Sequence, residues 1–557
     1  MKKSKYAAYA PAVLLVLLGL VLVWRAFYGV NYNDEMYYAD CLYRLYRGDV
    51  YLVQDWQMHL MSMVPVYPLY VLFRLVRESN EGVILYLRIL YVIFQTAVAC
   101  FVYLRLRKRE RGALLVSLVY LLFTPFNIAA LSYNTLGIGF ALLSFCILCT
   151  PDEKHPVRDP LFCGICVAFC ILANPFALAL YLLYGAVQVL RAAVGREKKL
   201  LVPFFWMSVG AFAVFLIFCL ILFQRASLGE LRLTFSYNFH IPGYEQNAGQ
   251  WLRKFTSYFG KLYPEYRYLF WVTGGALLLS CLDRKCREHA FAYVLPVAAL
   301  AGFYLWYHGF LQQRVPTNFC MVPLSLTGLL CFRLLRKKDY RYLGLWFVPG
   351  VLYSLCSHFA SDTGILCITS CYVLSSSVSA LFLTQFIQEQ REALGKWGRG
   401  AAVCAALLLM LQLGISGCLR ITFFYNEAPL SELTEKVTDG PAKGLYTTSG
   451  MAEFHSERVR ELESLQLTEQ DVLLVMNMEP WAYLCTDAAV ANYTCWGEFY
   501  DSLYDVYQFF FPRKTPTVVY CTDYEESMRE KPELLQRYLD AGYEMTELGT
   551  SVVLRKP

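Results

Sequence analysis

The sequence predicts a polytopic α-helical membrane protein with a C-terminal α/β domain on the outer, extracytoplasmic side. Three observations carry that prediction: apolar blocks long enough to cross a bilayer, basic clusters recurring at the ends of those blocks, and a change of charge and pattern after about residue 422. Of the 557 residues 57% are hydrophobic and 17% charged, whereas a soluble chain carries about a quarter charged. Many of the apolar blocks approach the roughly 20 residues that span a bilayer. The first, Pro11 to Tyr28, follows Lys2, Lys3 and Lys5. No small-x-small cleavage site follows it, so it reads as a retained span rather than a signal peptide.

Basic residues orient spans because they stay on the cytoplasmic side. Seven clusters hold 25 of them: Lys2–Lys5, Arg105–Arg111, Lys154–Arg158, Arg191–Lys199, Arg284–Arg287, Arg333–Arg341 and Arg391–Arg399. Placing all seven inside predicts about thirteen spans, at 11–29, 83–104, 113–131, 135–150, 160–174, 176–190, 201–223, 268–282, 290–307, 318–334, 342–357, 364–386 and 401–422. The N-terminus is then cytoplasmic and the C-terminus outside. This topology requires two short helices turning at Asn174-Pro175, a turn signal, instead of one Pro-kinked helix. The transmembrane module is residues 1–422, with a first outer loop at 30–82 and a second large one at 224–267.

Residues 423–557 hold 23 acidic against 11 basic residues, a net of −12, while residues 1–422 hold 21 against 39, a net of +18. The basic excess belongs to loops between spans, and nothing calls for a nucleic-acid partner. The tail alternates strand-like runs (Lys443–Thr447, Val472–Met476, Thr517–Cys521, Ser551–Leu554) with helical ones (Ser456–Leu465, Glu525–Ala541), an α/β pattern. Most of the 20 cysteines lie inside apolar runs, where cysteine behaves as a small hydrophobe. The pairs Cys146/Cys149 and Cys163/Cys166 have zinc-like spacing but lack polar knuckle residues, so packing is the expected role, with a structural metal as the alternative. Cys485 and Cys495 in the tail are a candidate pair that the sequence leaves open.

The first outer loop opens Asn31-Tyr-Asn-Asp34-Glu35. Asn33 or Asp34 can cap the helix that follows. Tyr38, Cys41, Leu42, Leu45 and Tyr46 form an apolar stripe with Arg44, Arg47 and Asp49 largely off it, which predicts a helix lying on the membrane. Further along the loop come Asp55, Gln57 and His59, candidates for an acceptor pocket, and the breakers Pro65 and Pro68. Capping explains one of two adjacent carboxylates. The other reading is catalysis, since a partly desolvated carboxylate has a raised pKa and serves as a general base.

The Asp34-Glu35 pair closing the first span, the long loop after it, about thirteen spans and the outer C-terminal domain resemble the GT-C glycosyltransferases, in particular the protein O-mannosyltransferase and aminoarabinose lipid A transferase types. Those enzymes take a sugar from a polyprenyl-phosphate carrier to an acceptor on the outer side. Many relatives carry a His-x-Pro-Pro-like run in the first loop; here the corresponding stretch is Asp55-Trp56-Gln57-Met58-His59, with prolines only at 65 and 68, which leaves subfamily and acceptor open. The resemblance implies an inverting glycosyltransferase of the cell envelope, with Asp34 as catalytic base and Glu35 orienting it or the acceptor, the two roles being exchangeable. It implies a polyprenyl-phosphate-linked sugar donor, an envelope lipid, glycan or protein acceptor, and membrane lipids as partners. Relatives differ in metal dependence, so a divalent cation is left open and no metal-ligand set is assigned.

For the departing phosphate the sequence offers Arg314 in the segment Trp306–Thr317, since guanidinium matches phosphate geometry. The plainer account is an arginine snorkelling to headgroups. Arg88, about six residues into the second span, is a second candidate for the phosphate; it either pairs with a carboxylate or faces a cavity, because an unpaired charge is costly there. His308, a candidate for substrate binding, and the segment His358–Asp362 lie at outer span ends, where a metal could be assembled from them, although an ordinary interfacial histidine is the plainer reading. Two other function classes fit the composition: a transporter or flippase of a lipid-linked or amphipathic substrate, and a non-catalytic envelope assembly protein.

Overall fold

The computed structural model describes residues 9–557 other than 33, 196–198, 200, 239–247, 313–314, 362, 393–395, 478, 497–498 and 550; the side chains at 58–60, 238, 248 and 396 are likewise outside the description. Up to Thr422 the chain is helical. Helix α1 (Ala10–Arg25) leads into the first loop, which holds α2 (Asp34–Tyr46), a 3-10 segment Met58–Met63 and α3 (Tyr67–Val76). The bundle continues through α4 (Val83–Leu106), α5 (Ala113–Leu121), α6 (Tyr133–Cys149), α7 (Arg158–Ala173), α8 (Leu178–Val194) and α9 (Leu201–Phe223). After α10 (Leu228–Asn238) come α11 (Ala248–Leu282), α12 (Ala290–Trp306) with a π-helical end Tyr307–Leu311, and the short α13 (Pro316–Phe319). The remaining bundle helices are α14 (Met321–Leu334), α15 (Tyr340–Tyr342), α16 (Val348–Ala360), α17 (Ile365–Cys371), α18 (Val373–Glu392) and α19 (Lys396–Thr422).

Among the described residues eight helices are long and apolar enough to span a membrane: Val83–Leu106, Pro175–Val194, Leu201–Phe223, Ala290–Leu311, Pro316–Leu334, Tyr340–Ala360, Ile365–Glu392 and Trp397–Thr422. The chain is thus a polytopic helical membrane protein, with eight qualifying helices against the expected thirteen. Ala10–Arg25 and Tyr133–Cys149 are apolar but shorter. The break at Asn174-Pro175 is present: α7 ends at Ala173, a single 3-10 turn follows, and α8 begins at Leu178.

Two expected elements differ. The stretch 113–131 is helical only to Leu121, because Pro125 lacks an N–H and Phe126 and Asn127 take φ of +57°. The unwound backbone is met inside the bundle, as it must be at membrane depth: Phe126 N–H donates to Asn318 Oδ1 at 2.9 Å and Asn127 Nδ2 donates to Phe423 O at 2.6 Å. The expected loop 224–267 contains α10 and the first half of α11, which is kinked after Pro264, where Tyr266 leaves the helical conformation.

Close backbone approach sets part of the bundle. A Cβ on Gly164 of α7 would lie 1.9 Å from Met207 O, and one on Gly210 of α9 would lie 2.2 Å from Leu161 O. The zinc-like spacing on these helices does not gather a ligand set. Cys163 Sγ lies 3.7 Å from Met207 Sδ and Cys149 Sγ 3.6 Å from Arg341 O, and no group of three or more metal-ligating side chains occurs among the described residues.

The C-terminal region holds a five-stranded sheet. Its spatial order is β4 (Ala489–Val490), β3 (Val472–Val475), β5 (Val518–Cys521), β7 (Ser551–Arg555), β6 (Glu544–Leu548). β3 pairs in parallel with β4 and β5, and β7 is antiparallel to β5 and β6. A separate two-stranded ribbon pairs β1 (Glu435–Lys436) with β2 (Tyr446–Thr447). The helices are α20 (Ser449–Ser464), α21 (Trp481–Leu484), α22 (Asp501–Phe510), α23 (Tyr524–Glu530) and α24 (Pro532–Asp540). Pro532 divides the expected single helix 525–541, since it ends α23 and opens α24. Cys485 and Cys495 are both free thiols.

The first loop is built into this region. Trp56 is buried in its core, stacked on Tyr493 at 5.1 Å, and its backbone N–H donates to Tyr493 O. Helix α2 is therefore not the surface-lying helix the stripe predicted. It is covered by the C-terminal region, and Arg44, expected off the stripe, is 1% exposed. Burial is tolerated because Arg44 Nε meets Asp49 at 2.8 Å and Lys514 meets the same carboxylate at 2.5 Å. One packing prediction follows from the glycine contacts. Gly210→Val should lower stability by about 1–3 kcal/mol or more, read as an earlier midpoint in thermal unfolding in detergent.

Candidate active site

Two arginines hold the start of the first loop. Arg25 ends α1 and donates to Ile421 O, Tyr28 O and Phe423 O at 3.0, 3.1 and 2.8 Å, with its guanidinium 3.4 Å from the centre of the Phe424 ring. These bonds satisfy carbonyls that helix ends leave without partners. Arg88 of α4 donates through Nη1 to Ala26 O and Tyr28 O at 2.9 and 3.2 Å. Its Nε and Nη2 grip Glu35 in a forked pair, Nε to both oxygens at 3.0 Å and Nη2 to Oε2 at 2.5 Å. Both partners are about 95% buried, so the pair is geometrically strong.

This disposes of Glu35 and leaves Asp34. Asn31 Oδ1 accepts the Asp34 N–H at 2.8 Å, so Asn31, not Asp34, caps the first turn of α2. Among the described residues no cation pairs with Asp34, which is half-buried. Burial first, and then the neighbouring Glu35 charge, push its pKa up to about 6. The helix N-terminus favours the ionised form, but only by a fraction of the desolvation cost. Tyr425, in the linker after α19, is close enough that burial and then the Asp34 charge raise its phenol.

A groove of about 800 Å³ lies beneath the C-terminal region. Tyr425, Asn426 and Glu427 of the linker line it, with Val315 and Leu366 of the bundle and Thr448 and Met451 at the start of α20. A smaller cavity of about 20 Å³, room for one water, adjoins through Phe424, Tyr425 and Glu427 and reaches Arg25, Asn31, Glu35 and Arg88. An apolar cleft of about 290 Å³ elsewhere, between α6, α7, α8 and α16, contains no acid, lysine, arginine or histidine and offers no chemistry.

The other residues singled out by the sequence are dispersed. Asp55 belongs to a buried cluster at the far end of α2, about 15 Å along the helix from Asp34 at 1.5 Å per residue. Its Oδ1 accepts the Gln57 N–H at 3.3 Å and its Oδ2 lies 4.0 Å from Arg44 Nη1. Burial pushes its pKa up to about 6, against the pull of Arg44. The side chain of His59 and all of Arg314 and Asp362 lie outside the described residues. His308 is fully buried in the π-helical end of α12. It is stacked on Phe319 at 5.0 Å, with Nδ1 on Gln312 Oε1 and Nε2 3.7 Å from Glu265 Oε1. His358 hydrogen-bonds Ser257 through Nε2 at 2.8 Å.

Sequence reading missed Arg25, Asn127, Arg420 and Glu427. Arg420 is 1% exposed and donates to Asn127 Oδ1 at 3.1 Å. Neither Arg25 nor Arg420 forms an ion pair with an acid among the described residues. A charge at each outer span end was visible, but most of their partners, Ile421 O and Phe423 O for Arg25 and the Asn127 amide for Arg420, lie hundreds of residues away.

These features define a helical membrane protein in which Asp34, without a cation partner among the described residues, lies near Tyr425, a residue that lines the groove. A family model described as "Predicted membrane protein (DUF2142)" matches residues 65–274. No curated protein matches the chain. Similar solved structures include the Archaeoglobus fulgidus oligosaccharyltransferase tethered to an acceptor peptide, at 12% identity and a TM-score of 0.48 over 93% of this chain and 69% of that one. The oligosaccharyltransferase AglB of the same organism, in complex with an inhibitory peptide and a dolichol-phosphate, matches at 11% identity and a TM-score of 0.44 over 100% and 75%.

The buried pair makes a direct prediction. Removing one partner leaves an uncompensated buried charge and costs about 3–5 kcal/mol. Glu35→Leu and Arg88→Leu should each lower the unfolding midpoint in mixed micelles, and the double variant should lose clearly less than the two combined.

Proposed function

We propose that this protein is an inverting glycosyltransferase of GT-C type, moving a sugar from a polyprenyl-phosphate carrier to an acceptor at the outer face of the membrane. The observation that carries the reading is the division of labour in the Asp34-Glu35 pair. Glu35 is committed to Arg88, while Asp34, with its pKa at about 6, has no cation partner among the described residues and lies close enough to the groove residue Tyr425 for its charge to act on that phenol. A carboxylate of that pKa is mostly ionised at neutral pH, yet basic enough to take a proton from an attacking hydroxyl.

The chemistry is one displacement. The acceptor oxygen or nitrogen attacks the anomeric carbon from the face opposite the phosphate. Asp34 Oδ takes the acceptor's proton, and the bond to the carrier breaks with its electron pair leaving on the phosphate oxygen. The configuration inverts. The departing phosphate calls for fixed cations, and the guanidinium of Arg314 suits that part by its chemistry. Glu35 and Arg88 act by holding the loop. The basic clusters at the span ends, read as cytoplasmic, support a groove that faces outward.

Asp34→Asn should lower sugar transfer by about 10²–10⁴-fold, the usual worth of a general base, at unchanged protein level in the membrane. Mass spectrometry of lipid extracts should then show the polyprenyl-phosphate sugar accumulating. Transfer at the wild-type rate by the Asn variant removes Asp34 from the mechanism, and uptake of substrate into proteoliposomes without a covalent product points to a transporter.

A further inference from the structure

The linker between α19 and the C-terminal region carries an acid that no expectation from the sequence included. Glu427 Oε1 accepts two hydrogen bonds at once, from the Val30 N–H at 2.9 Å and from the Thr447 hydroxyl at 2.7 Å. Its Oε2 accepts the Ala428 N–H at 3.2 Å. One carboxylate thus ties the loop before Asp34, strand β2 and the linker to a single point. No lysine or arginine pairs with it among the described residues, so its bonds are all to neutral donors.

The same strand is stitched to the loop on either side. Gly29 N–H donates to Tyr446 O at 2.8 Å and Tyr446 N–H donates to Phe27 O at 2.7 Å, and the Tyr28 and Tyr446 rings stack at 5.3 Å. Gly29 sits at φ +77°, where a Cβ would fall 2.6 Å from the Phe424 ring, so the linker closes on the loop too tightly for any other residue. Three residues separate Val30 from Asp34, and Asn31 caps the helix that Asp34 begins. The register of that short stretch is set at Val30 on one side and at Glu35 on the other.

We propose that Glu427 is a positioning residue for the transfer reaction: it sets Asp34 by holding Val30, and through it the C-terminal region participates in catalysis. The proposal rests on the assignment of Asp34 as base. Orientation errors of about 1 Å cost up to about 10²-fold in rate, and losing the Val30 anchor frees one end of the segment that carries the base.

The test is steady-state kinetics of the purified full chain with a polyprenyl-phosphate sugar, alongside thermal unfolding. Glu427→Ala should lower kcat, normalised to the folded fraction read from thermal unfolding, by about 10–10²-fold with KM for the donor within about twofold; the normalisation removes the fall in apparent kcat that a loss of folded protein alone would give. Glu427→Gln keeps a carbonyl oxygen for both donors and should recover kcat to within about threefold of wild type. Thr447→Val, which leaves the carboxylate and removes one donor, should fall in the same direction by a smaller factor. Wild-type kcat in Glu427→Ala overturns the proposal, and so does a Gln variant as slow as the Ala variant, because the charge and not the anchor would then matter. If Asp34→Asn is inactive while Glu427→Ala is unimpaired, only the positioning claim falls. If Asp34→Asn is fully active, the base assignment falls and this proposal with it.

Discussion

A single guanidinium, that of Arg88, joins three things that must stay in register: the last carbonyls of α1, the second span, and the first turn of the helix that opens the outer loop. It sits six residues inside α4, where an unpaired charge would be costly, and the cost is offset by a forked pair to Glu35 and two backbone acceptors. Because Glu35 must answer Arg88, it cannot answer a substrate. Because Asn31 caps the helix, Asp34 need not. Asp34 is the carboxylate of the pair left without a cation partner among the described residues once these structural demands on the loop have been met.

The same logic explains why the C-terminal region is not an appendage. Trp56 lies in its core and the Tyr43 hydroxyl donates to Ala488 O at 2.7 Å. The Arg44, Asp49 and Lys514 network closes between them. Arg25 and Glu427 bind the two ends of the linker to the loop. A detachable adaptor module would show few such ties, and a loop that merely covered the membrane would not be buried on both faces.

Much of this was legible in the sequence, for local reasons. Apolar length announces the long helices, Asn174-Pro175 the turn between α7 and α8, and short β-branched runs the strands β3, β5 and β7. The Asp34-Glu35 pair and the alternatives for Arg88 were also readable, since a buried arginine needs an acid. What was hidden depends on distant partners. The stripe on α2 predicted a membrane-facing helix because nothing local reveals the Trp56 and Tyr493 stack that draws it under the sheet. The unwinding after Leu121 needed Asn318 and the carbonyl of Phe423 to be tolerable. Glu427 looked like one acid among the 23 of the tail, and the two donors to its Oε1 lie 397 and 20 residues away.

The central claim is that the unpaired carboxylate of Asp34 is the base. Its most direct test is the pH dependence of kcat/KM for the purified wild-type protein. Burial and Glu35 raise the Asp34 pKa to about 6. The account therefore predicts a rate that climbs about tenfold per pH unit below that value and levels off above it. A rate that is flat between about pH 5 and 8, or that falls as the pH rises through 6, contradicts it.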